Sequence, residues 1–332
     1  MRTPVGATRL SFLAAICLIA GLTLSIGMGA RPQTATQTPR PAAPRAAAPV
    51  QPAQPAQRPE APPTPAREEG PVAFPNKEGS LKFAVLGDFG TGGHEQYELA
   101  AQMAKLHQRF NFNTVILVGD NLYGSQKASD FVKKFETPYK PLLDNGVKFY
   151  ASLGNHDVRN QRNYKLFNMD GKLYYSFSPK RNVRFFALES TYPVPEQIKW
   201  VQDELAGARE DWKIAFFHHP LYSSGERHGS DTQLRDTLEP IFLQNGVSVV
   251  FSGHDHFYER VKPQKGIGYF VVGSGGKLRD GNIDRRSPIM AKGFDTDLAF
   301  LAAEIDGDRM TFNAISRSGQ VIDSGVFTRR QQ

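Results

Sequence analysis

Gly119-Asp120-Asn121-Leu122-Tyr123 follows directly on the apolar run Val115 to Val118. A short β-branched run that stops at a glycine and a carboxylate reads as a buried strand ending in a loop. A phenol three residues after that carboxylate suits a metal pair better than a packing role. The pattern recurs along the chain. Phe83 to Leu86 stops at Gly87-Asp88-Phe89-Gly90, and Phe149 to Leu153 at Gly154-Asn155-His156-Asp157. Ile214 to Phe217 stops at His218-His219-Pro220, and Val247 to Phe251 leads to Gly253-His254-Asp255-His256.

Helical patterns separate several of these runs. Leu99, Met103, Leu106 and Phe110 fall on one helix face, as do Ile198, Val201 and Leu205 after Pro195, and Leu234, Leu238 and Ile241 before Gly246. Alternating strand and helix gives an α/β class. In such sheets ligands bind at the carboxyl ends of strands, where all the polar blocks fall. Further apolar runs, Tyr269 to Val272, Leu298 to Ile305, Met310 to Ile315 and Val321 to Phe327, are expected to complete a second sheet, the last three joined by turns at Asp306-Gly307 and Ser318-Gly319.

A chain of 332 residues with 40% hydrophobic content can bury a sizeable core. The net charge of +7 is not a nucleic-acid signal. Residues 1–70 hold seven Arg against Glu60, Glu68 and Glu69, so that segment carries +4 and the remainder only +3. The single cysteine, Cys17, leaves the folded part without a disulfide, and Ile16 before it argues against lipid attachment.

Arg2 and Arg9 precede the uncharged run Phe12 to Ala30, which has the layout of an export signal or an uncleaved membrane anchor; either sends the rest of the chain out of the cytoplasm. Met28-Gly29-Ala30 is a poor cleavage site, which favours the anchor. Residues 31–75, rich in Pro, Ala, Gln and Thr, read as a disordered, semi-rigid tether. Residues 76–332 read as one catalytic domain.

The polar blocks supply the oxygen and imidazole ligands of a two-metal site, including a carboxylate able to be shared by two ions about 3.5–4 Å apart. Taken together, from Phe83 to about Arg329, they resemble the calcineurin-like metallophosphoesterases: two Gly-Asp strand ends, Gly-Asn-His-Asp, and late histidines ending in Gly-His-x-His. That superfamily places a ligating histidine two residues after the first aspartate, where this chain has Gly90. The pattern Gly-Asp-Asn-x-Tyr, with Tyr123 as a substitute ligand, resembles the short, single-domain purple acid phosphatases, as does the extra histidine in Ser223 to Gly229.

The resemblance implies two central β-sheets packed as a sandwich flanked by helices. It implies a first ion, Fe(III), held by Asp88, Asp120, Tyr123 and His256. A second, divalent Fe, Zn or Mn, would be held by Asp120, Asn155, His218 and His254. It further implies that His156 and His228 serve the phosphate and the leaving oxygen, that Asp157 orients His156, and that a metal-activated hydroxide hydrolyses phosphomonoesters. The expected partner is a phosphate ester, with no nucleic acid, a membrane only through the N-terminal segment, and a monomeric protein in a periplasmic or other extracytoplasmic place. A phosphodiesterase or nucleotide-cleaving enzyme on the same scaffold is the alternative, and a non-catalytic tethered surface protein a remote one. His219 is expected to neighbour His218 and point elsewhere. Asp255 is expected to shape its loop, while His94 and His107 are expected on surface or helix faces.

Overall fold

The computed structural model describes residues 71–329. Cys17, the segment read as an export signal or anchor, and nearly all of the segment read as a tether therefore lie outside the described residues. Among the described residues no helix is long and apolar enough to cross a membrane.

The order of elements is β1 (Leu81–Leu86), α1 (His94–Phe110), β2 (Thr114–Val118), the short helices α2 (Ala128–Phe131) and α3 (Lys140–Asp144), and β3 (Lys148–Ser152). Next come β4 (Tyr175–Lys180), β5 (Val183–Ala187), α4 (Pro195–Gly207), β6 (Trp212–Phe216), α5 (Thr232–Gln244) and β7 (Val247–Ser252). The chain ends in strands: β8 (Tyr258–Val261), β9 (Gly268–Val272), β10 (Met290–Phe294), β11 (Ala299–Asp306), β12 (Arg309–Ser316) and β13 (Val321–Thr328).

Two mixed sheets result, one ordered β13-β12-β11-β1-β2-β3 and the other β10-β8-β9-β7-β6-β5-β4. Within them β1, β2 and β3 run parallel, as do β5, β6, β7 and β9. Alternation along the strands makes the second sheet two-faced. Trp212, Ile214, Phe216, Val249 and Phe251 join the core shared with the first sheet, where Phe83 meets Phe185 and Phe251 edge-on at 5.3 and 6.0 Å. Ala215, Phe217, Val247 and Val250 pack instead with Val201 and Leu205 of α4 and Leu234, Leu238 and Phe242 of α5. Leu99, Met103, Leu106 and Phe110 form the buried face of α1, as their spacing predicts.

The expectation for the C-terminal runs needs correction. β11, β12 and β13 do not build a second sheet; β11 pairs antiparallel with β1 and extends the first, whereas β9 lies beside β7 in the second. The polar blocks consequently come from both sheets. The tether boundary at residue 75 also falls late, because Phe74 stacks on Phe110 with ring centroids 4.0 Å apart and the Val72 amide donates to Ser324 Oγ at 2.9 Å.

Candidate metal centre

The carboxyl ends of β1, β2, β3, β6 and β7 each release a short loop bearing a polar side chain toward one place. Asp88, Asp120 and His254 all adopt positive φ, at 55°, 51° and 71°. Non-glycine residues seldom hold that conformation unless their surroundings fix it. Here the loops fix one another. The Asp88 amide donates to the Gly119 carbonyl at 3.0 Å, the Gly253 amide to the His218 carbonyl at 2.9 Å, and the His254 amide to Asp88 Oδ2 at 2.9 Å.

The close approach explains two glycines. A Cβ on Gly154 would lie 2.2 Å from Asp120 Oδ1, so only glycine lets the β3 loop reach the carboxylate. A Cβ on Gly90 would lie 1.8 Å from the Asn121 carbonyl oxygen. No histidine fits at position 90, because the Asp120–Tyr123 loop occupies that space.

Ligand-type atoms form two adjoining groups. Those of Asp88, Asp120 and His256 lie within 4.8 Å of one another. The Tyr123 hydroxyl sits 3.1 Å from Asp88 Oδ1 and 3.3 Å from His256 Nε2. Those of His218, His219 and His254 form the second group, also within 4.8 Å. Asn155 Oδ1 stands 3.0 Å from His218 Nε2 and 3.1 Å from His254 Nδ1. Asp120 links the groups, its Oδ1 lying 3.4 Å from His218 Nε2.

Tautomers decide what such convergence means. His218 Nδ1 lies 3.0 Å from the Val118 carbonyl, which can only accept, so that nitrogen carries the proton and Nε2 is a bare lone pair. The lone pair faces an amide oxygen and a carboxylate oxygen. A cation placed there would be attracted by all three atoms.

The titration directions agree. Burial, then the Asp120 charge, pushes the Asp88 carboxyl well above its usual range. Burial holds His218 well below it, and burial followed by the neighbouring His218 and His219 pushes His254 down to about 2. His256 falls to about 4 through burial and the Arg279 charge, and Tyr123 is raised by burial and by Asp88 and Asp120. Neutral imidazoles with free lone pairs beside crowded carboxylates are the chemistry of a cation site, and a bound cation would reverse the carboxyl and phenol directions.

Asp157 departs from its expected use. Its carboxylate accepts from the amides of Asn121 at 3.0 Å, Leu122 at 3.0 Å and Gly154 at 2.9 Å, and from Gln161 Nε2 at 2.7 Å, rather than from the His156 imidazole. It therefore clamps the β2 and β3 loops together, and any effect on His156 passes through backbone. The His156 ring is exposed, its centroid 5.0 Å from that of Tyr123. His228 is exposed on the Ser223–Gly229 loop with its ring centroid 4.2 Å from that of His254. Asp255 holds that loop, accepting from Ser223 Oγ at 2.6 Å and the Gly229 amide at 3.1 Å.

His219 does not point away. Its ring centroid is 4.3 Å from that of His254. Ser190 Oγ accepts the His218 and His219 amides at 3.2 and 3.0 Å, which leaves its proton for His219 Nδ1 at 2.9 Å. His219 Nε2 then carries a hydrogen and is a donor rather than a metal ligand. Lys134 is another residue that spacing alone did not reveal: its buried ammonium donates to the carbonyls of Tyr123 and Ser125, both at 2.7 Å, and so pins the tyrosine loop. His94 and His107 stand apart from the site, as expected, His94 exposed and His107 edge-on to Phe112.

The family model for calcineurin-like phosphoesterases matches residues 81–258. The chain is 27% identical over 245 residues to purple acid phosphatase 17 of Arabidopsis thaliana, covering 62% of this chain and 72% of that protein. It is 25% identical over 308 residues to human (Homo sapiens) tartrate-resistant acid phosphatase type 5, covering 76% and 92%. Among solved structures, purple acid phosphatase PPD1 from yellow lupin (Lupinus luteus) seeds superposes with a TM-score of 0.62 at 18% identity, over 77% of this chain and 55% of that one. GAP50, the anchor in the inner membrane complex of Plasmodium, superposes with a TM-score of 0.64 at 20% identity, over 76% and 90%. These two likenesses speak to fold alone. The family match spans more than half of the chain and covers every strand end from Asp88 to His256, so the chain belongs to the calcineurin-like phosphoesterases and is a metal-dependent phosphoric ester hydrolase.

Proposed function

We propose that the chain is a binuclear-metal acid phosphatase that hydrolyses phosphomonoesters. The observation that carries this reading is the bare Nε2 of His218, set among the oxygens of Asn155 and Asp120 with His254 Nδ1 3.2 Å away. Asp88, Asp120, Tyr123 and His256 would hold one ion, Fe(III) by virtue of the phenol. Asp120, Asn155, His218 and His254 would hold a divalent Fe, Zn or Mn. When bound, such a pair lowers the pKa of water and neutralises phosphoryl oxygens.

The remaining work falls to protein groups. His156 and the Nε2–H of His219 bind phosphate oxygens, and His228 gives its proton to the departing ester oxygen. Asp157 and Lys134 keep the ligand loops in register, while Asp255 keeps the His228 loop beside His254.

Residues 1–30 are proposed to export the domain or anchor it, and the Pro-rich segment to tether a monomeric catalytic domain outside the cytoplasm. The support is the uncharged run Phe12 to Ala30 and the composition that follows it. A chelator-sensitive assay comparing p-nitrophenyl phosphate with bis(p-nitrophenyl) phosphate tests the activity. Faster, chelator-sensitive turnover of the monoester is expected, and preference for the bis-ester would move the reading to a phosphodiesterase.

A further inference from the structure

The loop that carries His228 is held along its first half by contacts that none of the metal-ligand side chains shares. Gly225 bridges Ile283 in a short antiparallel strip, where the Asp284 amide donates to the Ser224 carbonyl and the Glu226 amide to the Asn282 carbonyl, both at 2.9 Å. Ile283 is itself fixed, because it packs with Phe257, Val271 and Met290. Beyond the strip Glu226, Arg227 and His228 are exposed. The place of the His228 ring beside His254 is therefore set by the shoulder that precedes it.

Ser224, at that shoulder, meets Glu259 of β8, which is fully buried. Glu259 Oε2 accepts the Ser224 amide at 2.8 Å and Oε1 the Ser224 hydroxyl at 2.5 Å. No cation pairs with this carboxyl among the described residues, and burial raises it to about 7. Keeping such a group from water costs stability, and an apolar side chain of that size would fill the space without the penalty. Packing thus gives no reason for a carboxyl here, whereas both of its side-chain partners are atoms of one residue of the His228 loop. Either protonation state keeps the two bonds. The ionised carboxyl accepts from both; the protonated one donates to Ser224 Oγ, which then donates to Ser287 Oγ at 2.8 Å.

We infer that Glu259 is a positioning residue for the leaving-group acid, fixing through Ser224 the shoulder of the loop that carries His228. The inference rests on the phosphatase reading, in which His228 protonates the departing oxygen. The Glu259 side chain forms no hydrogen bond to any proposed metal ligand. Its influence should therefore be confined to the step that uses His228, unlike that of Asp255, which lies between two ligands.

The test compares wild type, Glu259→Ala, Glu259→Gln and Ser224→Ala, each purified with its metals, on p-nitrophenyl phosphate and on methyl phosphate, whose methoxide needs a proton to depart. Glu259→Ala and Ser224→Ala should lower kcat for methyl phosphate about tenfold more than for p-nitrophenyl phosphate, with KM within about twofold and metal content unchanged. In a His228→Ala background the same substitutions should add no further selectivity, because they act through that imidazole. Glu259→Gln should recover most of the loss, since its amide reproduces the protonated carboxyl's two bonds to Ser224. Ser224→Ala leaves β8 intact and decides the matter if Glu259→Ala does not fold. Equal slowing of both esters, a loss that multiplies with that of His228→Ala, or a fall in metal content would overturn the inference. A wild type that hydrolyses neither ester would sink the phosphatase reading instead. Hydrogen exchange then tests the loop by itself: the amides of residues 224–229 should exchange about tenfold faster in Glu259→Ala than in wild type, and unchanged exchange would overturn the positioning role.

Discussion

The Tyr123 amide donates to the Gly90 carbonyl at 2.9 Å, in the place where a Cβ at position 90 would overlap the Asn121 carbonyl. The absence of a side chain at 90 and the presence of a phenol at 123 are one structural solution: the first makes room for the loop that brings the second to Asp88 and His256. Gly90→Ala should therefore cost about 1–3 kcal/mol of stability, as overpacking does, and lower metal content with it. Gly207→Ala, with open space around its Cβ, is the control and should be near neutral. Thermal melts with metal analysis check both.

Asp120→Asn should empty both metal positions and abolish turnover. Asp120 joins the ligand atoms of Asp88 and His256 and also stands 3.4 Å from His218 Nε2. A neutral amide cannot offset two nearby cations. Two ions per chain in the variant would remove Asp120 from the bridging role.

For His228→Ala, metal content should stay intact and esters with basic leaving groups should slow more than p-nitrophenyl phosphate, by about 10²-fold or more. Burial lowers the His228 pKa from its ordinary value. The protonated acid therefore accumulates only as pH falls below that lowered value, so wild-type turnover should drop on the alkaline side and the variant should lose that limb. Equal slowing on all esters would contradict the acid role.

Acid should destabilise the metal-free protein in a particular window. His254 and His256 have folded pKa values of about 2 and about 4, below the ordinary 6.5. As pH falls from 6.5 toward 4, the unfolded chain takes up protons that the folded chain refuses, and each such imidazole removes at most about 1.4 kcal/mol per pH unit. Asp88 works oppositely, since its raised folded pKa makes the protonated, low-pH form the better-tolerated one. Urea unfolding of chelated wild type and His254→Gln at pH 6.5 and 4.5 should show a shallower pH dependence in the variant; identical dependence would show that His254 does not titrate as described.

Strand ends were legible in the sequence because each ligand loop begins where an apolar run meets a glycine or histidine. The runs ending before Asp88, Asp120, Asn155, His218 and His254 all fall on or within a residue of β1, β2, β3, β6 and β7. Their division between two sheets was not legible, because partnering such as that of β11 with β1 joins residues more than 200 positions apart and leaves no periodic trace. Lys134 and Ser190 escaped for a related reason. Each acts through the folding of a distant loop against its own, and neither lies in a spaced motif. Asp157 stands in the motif, yet its carboxylate serves backbone amides, a distinction that spacing cannot make.

The visible absorption spectrum of the as-purified protein, with iron content measured on the same sample, tests the metal centre most directly. A phenolate on Fe(III) gives a ligand-to-metal charge-transfer band that the carboxylate, amide and imidazole ligands of this set would not. A violet protein is expected, whose band bleaches or shifts on reduction and disappears in Tyr123→Phe, with activity weakened rather than abolished. A colourless protein with ferric iron confirmed in the site would contradict it.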